Sequence, residues 1–336
     1  MKKKILIIGT GGTIASREGE SGLVPAADVS ELLAYVPEAE RMCEIQQLQV
    51  FSLDSTNIQP YHWIELVKCI HEHYDTYDGF LILHGTDSMA YTAAALSYLI
   101  QKSRIPIVLP GSQLPMESKN TDAIDNVYQS IRYLLNDRAC DVSIVFAGKI
   151  IPGGRARKVR SRSMNAFTCV GYECDAGKRT VYTAEKPEFY FKLNPKVLLW
   201  KLIPGLQSDV LLQLAEYFDG IVIEGFGLGG LPDIQDNSYF PVIRKLTDAG
   251  KTVAITIQVP LEGSDMSVYE VGVKYKTLLP VLEGGTMTPE AMVVKLMWIL
   301  GQEKDPEAIR SLFYQSINYD IVDGFLTDWY ENGGVF

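Results

Sequence analysis

The local patterns that decide the fold are clearest in residues 77–92, which read YDGFLILHGTDSMAYT. Gly79–Leu83 is a short aliphatic run between turn-forming residues, so it predicts a buried β-strand. The polar loop His84–Asp87 follows it, and residues Ser88–Gln101 have the apolar spacing of a helix. This order of strand, loop and helix is the beginning of a βαβ unit.

The same alternation continues on both sides of this unit through the first half of the chain. Short aliphatic runs are separated by amphipathic stretches, which predicts an α/β domain whose mostly parallel sheet is flanked by helices. The further expected strands are Lys4–Ile8, Leu48–Leu53, Ile105–Leu109 and Val142–Phe146, and the further expected helices are Val29–Tyr35, Tyr61–Tyr74 and Asp122–Leu135.

A second α/β series follows a less periodic stretch between residues 148 and 195. The length of 336 residues also favours two domains. We expect a larger N-terminal domain over residues 1–190, a linker over 191–205, and a smaller C-terminal α/β domain with a parallel sheet over 206–336. The second series comprises strands Val197–Ile203, Gly220–Ile223 and Thr252–Ile257 and helices Asp209–Tyr217, Tyr239–Asp248, Thr288–Leu300 and Asp305–Tyr314.

Composition excludes several classes of protein. A formal net charge of −10 disfavours nucleic-acid binding, because such a chain repels phosphate overall. No apolar run approaches the about 20 residues that span a bilayer, so no membrane partner is expected. Lys2–Lys4 precede the apolar run Ile5–Ile8, but that run is too short for a secretory signal, and we expect a cytoplasmic location.

The cysteines and histidines do not form a recognisable metal or redox pattern. The five cysteines are scattered without a CxxC pair, and the four histidines include no HExxH motif. We therefore expect no disulfide framework, no metal site and no cofactor.

Small polar residues follow four strands of the predicted N-terminal sheet. In an open parallel sheet, ligands bind beyond the carboxyl ends of the strands. Any one such loop is more often a turn or a helix cap, but four of them at one edge indicate a binding site. The loops are Gly9–Ile14, Asp54–Thr56, His84–Asp87 and Pro110–Gln113.

The glycine-rich first loop does not match a phosphate-binding motif. Ile14 stands where a dinucleotide fingerprint requires its third glycine, and the lysine of a P-loop is absent. What remains is a turn that presents Thr13 where a ligand can approach closely. A threonine nucleophile needs a base, and with no Ser–His–Asp arrangement or GxSxG elbow the candidates are lysines and carboxylates.

Several motifs resemble the asparaginase/glutaminase family, and in particular its type I members. The two signatures are highly specific together, and the similarity spans nearly the whole chain. The signatures are GGTIAS at residues 11–16 and the stretch at 77–92, with further matches LDST at 53–56, PGSQLP at 110–115, KLIPG at 201–205 and MTPEA at 287–291.

The resemblance implies hydrolysis of L-asparagine to L-aspartate and ammonia. Thr13 would attack the side-chain amide and form a β-acyl-enzyme, which water then cleaves. Thr86 and Asp87 belong to the second signature, and Lys158 occupies the place of the lysine that family members pair with that threonine. We hypothesise that Lys158 shares a proton with Thr86, since an ordinary lysine amine is a poor base at neutral pH.

The resemblance also implies how the zwitterionic substrate is held. The loop Asp54, Ser55 and Thr56 would bind the α-carboxylate, and Asp87, beside Thr86, would bind the α-ammonium group. Family members are homodimers, often paired into homotetramers. We expect the arginines around Lys158 to form a solvated loop or a subunit contact, namely Arg155, Arg157, Arg160 and Arg162.

One departure from the family pattern keeps other functions open. Type I relatives commonly have a tyrosine ten residues after the nucleophile, and Leu23 stands there in this chain. A leucine cannot transfer a proton, so a non-catalytic asparagine sensor on the same fold is one alternative. The other is the amidase component of a tRNA-dependent amidotransferase, which the negative net charge disfavours.

Overall fold

The computed structural model describes residues 2–19, 22–25, 29–170 and 186–322, and for residues within 15–30 it describes the backbone alone. The described chain forms two compact units, with the main boundary between Phe191 and Lys192. Residues 197–201, inside the segment expected to be a linker, form a strand of the second unit.

The first unit alternates strands and helices as the sequence indicates. Its helices are α1 Val29–Leu33, α2 Glu38–Met42, α3 Pro60–His73, α4 Met89–Leu99 and α5 Ala123–Leu134. Its strands are β1 Lys4–Gly11, β2 Ser16–Gly19, β3 Gly22–Pro25, β4 Glu44–Leu53, β5 Gly79–Leu83, β6 Ile100–Gln101, β7 Ile107–Leu109, β8 Val142–Phe146, β9 Lys149–Pro152, β10 Ala156–Lys158, β11 Phe167–Cys169 and β12 Glu188–Phe189.

A six-stranded sheet in the order β4-β1-β5-β7-β8-β9 organises the described part of this unit. All neighbours are parallel except β8 and β9, which are antiparallel. Every residue of β5 and β8 is buried, in agreement with the predominantly apolar sequences GFLIL and VSIVF of the two strands. The parallel order brings the loops after β1, β4, β5 and β7 to the same edge of the sheet.

Elements that the sequence did not predict lie mostly at edges. The strand β4 begins at Glu44 and not at Leu48, because it is an outer strand whose first residues are polar and exposed. The end of the predicted helix Ser88–Gln101 instead forms β6, which pairs with β12. The hairpins β2–β3 and β10–β11 fall in stretches without apolar periodicity.

The second unit contains a parallel four-stranded sheet in the order β13-β14-β17-β18 and a small antiparallel hairpin, β15–β16. The two-domain α/β fold class is confirmed. No helix in the described ranges is long and apolar enough to cross a membrane. The elements are β13 Val197–Lys201, α6 Ser208–Leu214, β14 Gly220–Gly225, β15 Asp233–Ile234, β16 Asn237–Ser238, α7 Tyr239–Asp248, β17 Thr252–Ile257, α8 Glu270–Leu278, β18 Leu282–Glu283, α9 Pro289–Gln302 and α10 Pro306–Tyr314.

Candidate active site

The loops after β1, β4 and β5 pack directly on one another through glycines. A Cβ atom on Gly12 would lie 2.2 Å from Cα of Gly85, and one on Gly85 would lie 2.6 Å from Oγ of Ser55. Gly12 also has a φ of +81°, which disfavours any other residue. These positions therefore require glycine, and they bring three loops together at the carboxyl edge of the sheet.

Thr13 and Thr86 each follow one of these touching glycines. Thr13 is half-buried and begins a single 3₁₀ turn, Thr13–Ala15. The turn is anchored at Gly12, whose N–H donates to the carbonyl of Leu53 at 2.9 Å. The two threonines that the sequence singled out thus lie on adjoining loops.

Lys158 joins Thr86 and Asp87 directly. Its Nζ donates to Oγ1 of Thr86 at 2.8 Å and to Oδ1 of Asp87 at 2.6 Å. The lysine side chain is 18% exposed and the aspartate side chain 57% exposed. The Thr86 hydroxyl, the Lys158 amine and the Asp87 carboxylate are therefore connected by two charge-assisted hydrogen bonds. Asp87 is the more exposed of the two charged side chains, so solvent contacts the group there.

The hairpin β10–β11 carries Lys158 to this place. Lys158 lies opposite Phe167 in the hairpin, and the turn before it packs against α4, where a Cβ on Gly153 would lie 2.6 Å from the carbonyl of Ala93. Arg155 within that turn is fully buried. The expectation of a solvated loop is therefore wrong for Arg155, because a buried guanidinium requires partners inside the protein.

Gln113, in the loop after β7, is a site residue that the sequence did not single out. Oγ1 of Thr86 donates to its Oε1 at 3.4 Å, and its Nε2 donates to the carbonyl of Ser163 at 3.1 Å. Ser163 lies between β10 and β11, so Gln113 connects Thr86 with the hairpin of Lys158. The sequence pointed to this loop as a whole, but its spacing did not show which side chain faces Thr86.

The three residues expected to bind a carboxylate behave differently from one another. Buried Ser55 accepts a hydrogen bond at Oγ from the N–H of Asp87 at 3.2 Å. Asp54 caps the short turn that follows, accepting from both N and Oγ1 of Thr56 at 2.8 Å. Ser55 thus contacts the loop of Thr86 and Asp87, whereas Asp54 and Thr56 bond to each other.

His84 is the first residue of the loop that contains Thr86 and Asp87, and it is fully buried. Its Nδ1 is 2.6 Å from the carbonyl oxygen of Gly85, and burial lowers its pKa to about 4. A neutral imidazole that donates from Nδ1 fits this contact. His84 therefore supports the backbone between β5 and Thr86 as an uncharged group.

Other sequence expectations concern metals and Leu23. In residues 2–19, 22–25, 29–170 and 186–322, no group of three or more histidine, cysteine or acidic side chains could hold a metal ion. Burial raises the pKa of the Cys69 thiol to about 11, which makes it a poor nucleophile.

The backbone of Leu23 pairs with Glu18 in the hairpin β2–β3, and its side chain lies outside the described part of the chain.

Comparison with known proteins identifies relatives that match more than nine tenths of the chain. The chain is 37% identical over 328 residues to an L-asparaginase of Thermococcus kodakarensis, covering 95% of this chain and 99% of that protein. A glutamyl-tRNA(Gln) amidotransferase subunit of Pyrococcus horikoshii is 33% identical over 336 residues, covering 92% of this chain and 74% of that relative.

Solved structures and family models agree with these relatives. The structure of the thermostable L-asparaginase from Thermococcus kodakarensis matches with a TM-score of 0.88 at 36% identity, covering 95% of this chain and 99% of that one. The family model for the asparaginase N-terminal domain matches residues 4–187, and that for the glutaminase/asparaginase C-terminal domain matches residues 196–313. The membership predicted from the motifs is confirmed, and the chain belongs to the asparaginase family of amidohydrolases.

Proposed function

We propose that this protein hydrolyses L-asparagine to L-aspartate and ammonia through Thr13 and a β-acyl-enzyme. The observation that carries the proposal is the pair of hydrogen bonds from Nζ of Lys158, at 2.8 Å to the Thr86 hydroxyl and at 2.6 Å to the Asp87 carboxylate. The similarity to an L-asparaginase over 95% of the chain supports the same substrate.

The polar groups at the sheet edge suit a zwitterionic amino acid. Asp87 is 57% exposed, so its carboxylate is accessible to the α-ammonium group of a substrate. Ser55 and the adjoining backbone N–H groups would bind the α-carboxylate. Together these contacts would orient the side-chain amide towards Thr13 and Thr86.

The reaction proceeds in two halves. In the first, Oγ1 of Thr13 attacks the side-chain carbonyl carbon of asparagine, the C–N bond breaks, and the hydroxyl proton leaves with the amide nitrogen as ammonia. In the second, water attacks the resulting ester, the bond to Oγ1 breaks, and Thr13 regains its proton as aspartate departs. Backbone N–H groups near Thr13 would stabilise the oxyanion of each step, an effect of roughly 3 kcal/mol per donor.

The ion pair suggests how Lys158 becomes able to accept a proton. In the free protein, Nζ of Lys158 lies 2.6 Å from the Asp87 carboxylate. When the α-ammonium group of asparagine binds Asp87, it brings a second positive charge beside Nζ. Lys158 can then receive a proton by way of the Thr86 hydroxyl, to which it is already hydrogen-bonded.

Two Thr13 variants of different chemistry test the nucleophile. Thr13→Ser keeps a hydroxyl, and Thr13→Val keeps the shape without one. We expect Thr13→Ser to release ammonia from asparagine and Thr13→Val to bind asparagine in calorimetry without releasing ammonia. Acid quenching during turnover should trap an aspartyl ester on Thr13, detectable by peptide mass spectrometry. Undiminished ammonia release by Thr13→Val would refute the proposal.

The same assay separates the alternatives. Asparagine binding without ammonia release by the parent protein would indicate a sensor. The similarity to the amidotransferase subunit makes that function the second candidate, and amide hydrolysis only in the presence of charged tRNA would support it. Ammonia release from free asparagine, with glutamine as a parallel substrate, supports the function proposed above.

We further propose a cytoplasmic homodimer or homotetramer that requires no nucleic acid and no cofactor. The proposal rests on the resemblance to type I family members. Light scattering of the purified protein would measure its mass in solution, and a monomer at assay concentration would contradict it.

A further inference from the structure

We propose that Asp122 and Asn126, at the beginning of α5, are positioning residues that hold the loop Gly111–Leu114 against Thr86. This inference rests on the proposed role of Thr86 and Lys158, and it concerns side chains that were not among the expected site residues. Both side chains bond to the loop that contacts Thr86.

Asp122 bonds to this loop although its position in the chain is that of a helix cap. An aspartate immediately before a helix usually accepts from the first N–H groups of that helix. The carboxylate of Asp122 makes no such bond to α5. It accepts instead from the N–H of Gln113, at 3.0 Å to each oxygen, and from the N–H of Leu114 at 3.1 Å. The Asp122 carboxylate therefore holds the backbone of Gln113 and Leu114 in place.

Asn126 lies one helical turn later, and its side-chain amide is fully used. It is 1% exposed, and its Nδ2 donates to the carbonyl of Gly111 at 2.9 Å and to Asp122 at 3.2 Å. Its Oδ1 accepts from the N–H of Ala147 at 2.9 Å, in the turn between β8 and β9. Only an amide supplies two donors and an acceptor in this arrangement. Asn126 thereby ties the loop after β7 to the turn that precedes β9.

The loop held in this way contacts Thr86 on two sides. A Cβ on Gly111 would lie 3.2 Å from Cγ2 of Thr86, so the backbone there is in close contact with the threonine methyl group. Gln113 accepts from the Thr86 hydroxyl at 3.4 Å and donates to Ser163, in the hairpin of Lys158, at 3.1 Å. A displacement of this loop would therefore change the orientation of the Thr86 hydroxyl relative to Lys158.

The first test is Asn126→Asp, with Asn136→Asp as the matched control. Above its own pKa, the new carboxylate would face the Gly111 carbonyl and the Asp122 carboxylate without a donor. We expect kcat to fall on the order of tenfold to a hundredfold, the loss that a displacement of about 1 Å can cause, while KM for asparagine changes little. Asn136 is exposed, and within the described part of the chain its side chain accepts from the N–H of Arg138, which an aspartate can also do, so its variant should keep parental kinetics.

The pH profile distinguishes positioning from loss of folding. A protonated aspartic acid regains one donor, so the ratio of variant to parental kcat should rise as the pH falls. Asp122→Asn is the second test, to be used if Asn126→Asp does not fold, because Asp122 is less buried than Asn126. The new amide keeps only one acceptor oxygen for the loop. We expect its kcat to fall while its KM for asparagine changes little.

A third variant, Thr86→Val, separates this inference from the proposed function. If Thr86→Val is inactive while Asn126→Asp and Asp122→Asn keep parental kcat, the positioning role is refuted alone. If Thr86→Val itself keeps parental activity, the proposed role of Thr86 and Lys158 fails first, and the inference loses its basis while asparagine hydrolysis through Thr13 still stands.

Discussion

Two lysine–aspartate ion pairs in this chain have the same Nζ···Oδ distance, 2.6 Å, in opposite surroundings. In the first unit, the side chains of Lys158 and Asp87 are 18% and 57% exposed. In the second unit, those of Lys295 and Asp320 are both 0% exposed. The distance alone therefore does not indicate whether such a pair serves chemistry or folding.

The two ion pairs differ in the second hydrogen-bond partner of each lysine. Lys158 also bonds to the hydroxyl of Thr86, a group that can exchange a proton. Lys295 also donates to the backbone carbonyl of Gln315 at 2.7 Å, which has no proton to exchange, and burial lowers the pKa of Lys295. The first pair has the partners that the proposed proton transfer requires, and the second attaches the segment after α10 to α9.

Replacing each lysine by methionine should separate these two roles. For Lys158→Met we expect the largest effect on activity, a loss of roughly 10²- to 10⁴-fold in kcat, the range typical of a removed proton-transfer group. The free energy of unfolding should hardly change, since the pair is partly exposed. Steady-state ammonia release and urea unfolding measure the two quantities. Near-parental turnover would show that Lys158 takes no part in proton transfer.

The converse result is expected for Lys295→Met. Removing one member leaves the Asp320 carboxylate buried without its counterion, which costs about 3–5 kcal/mol of unfolding free energy. The kcat of the folded fraction should stay parental, because the pair lies in the other unit. Urea unfolding followed by circular dichroism measures the loss. A reduced kcat in fully folded Lys295→Met would contradict the division of roles.

The sequence predicted one of these pairs and not the other, for a physical reason. Lys158 was found because motif similarity links it to Thr86, although it lies 72 residues away in a stretch without periodicity. Lys295 is one lysine in an apolar helix, and no local pattern shows that it is buried against Asp320, 25 residues later. Contacts between distant residues become visible in a single sequence only when a known family supplies them.

The fold shows the same division between local and distant information. The strands Gly79–Leu83 and Val142–Phe146 were predicted with their observed ends, because strands buried on both faces are predominantly apolar and stand out in the sequence. The strand β9 and the hairpin β10–β11 were missed, since their residues are held by pairing and not by a periodic apolar face. Gln113 was missed likewise, because its contacts are with Thr86 and Ser163, which lie 27 and 50 residues away in the chain.

His84, three residues before Asp87 in the same loop, extends the comparison to a fully buried titratable group. The unfolded chain binds a proton at histidine near its ordinary pKa of 6.5, whereas the folded protein does so only at about 4. The unfolded state therefore binds more protons between these values, and the free energy of unfolding should fall by about 3 kcal/mol as the pH drops through this window.

A variant isolates that contribution. Urea unfolding at pH 7.5 and at pH 4.5 should show a smaller difference for His84→Gln than for the parent protein. His71→Gln, at an exposed position, is the control for the exchange of histidine for glutamine itself. An equal pH dependence in parent and His84→Gln would mean that other groups cause the acid sensitivity.

The smallest expected effect comes from replacing both members of the buried pair. Lys295→Met with Asp320→Leu removes the buried carboxylate that has lost its bond to Lys295, so it should be about 1–2 kcal/mol more stable than Lys295→Met alone. Recovery should stay incomplete, because Asp320 also accepts from the N–H of Ile317 at 2.8 Å and the Gln315 carbonyl loses its donor.

A double-mutant cycle measures the coupling energy of the buried pair, which can be compared with that of an exposed pair. The coupling energy between Lys295 and Asp320 should exceed the coupling between Lys3 and Asp137, a pair at 3.0 Å whose side chains are 31% and 94% exposed. Solvent screens the exposed pair, and its long side chains lose entropy when they meet. Equal coupling energies would mean that burial does not distinguish these pairs, and the structural role assigned to Lys295 would then lack its physical basis.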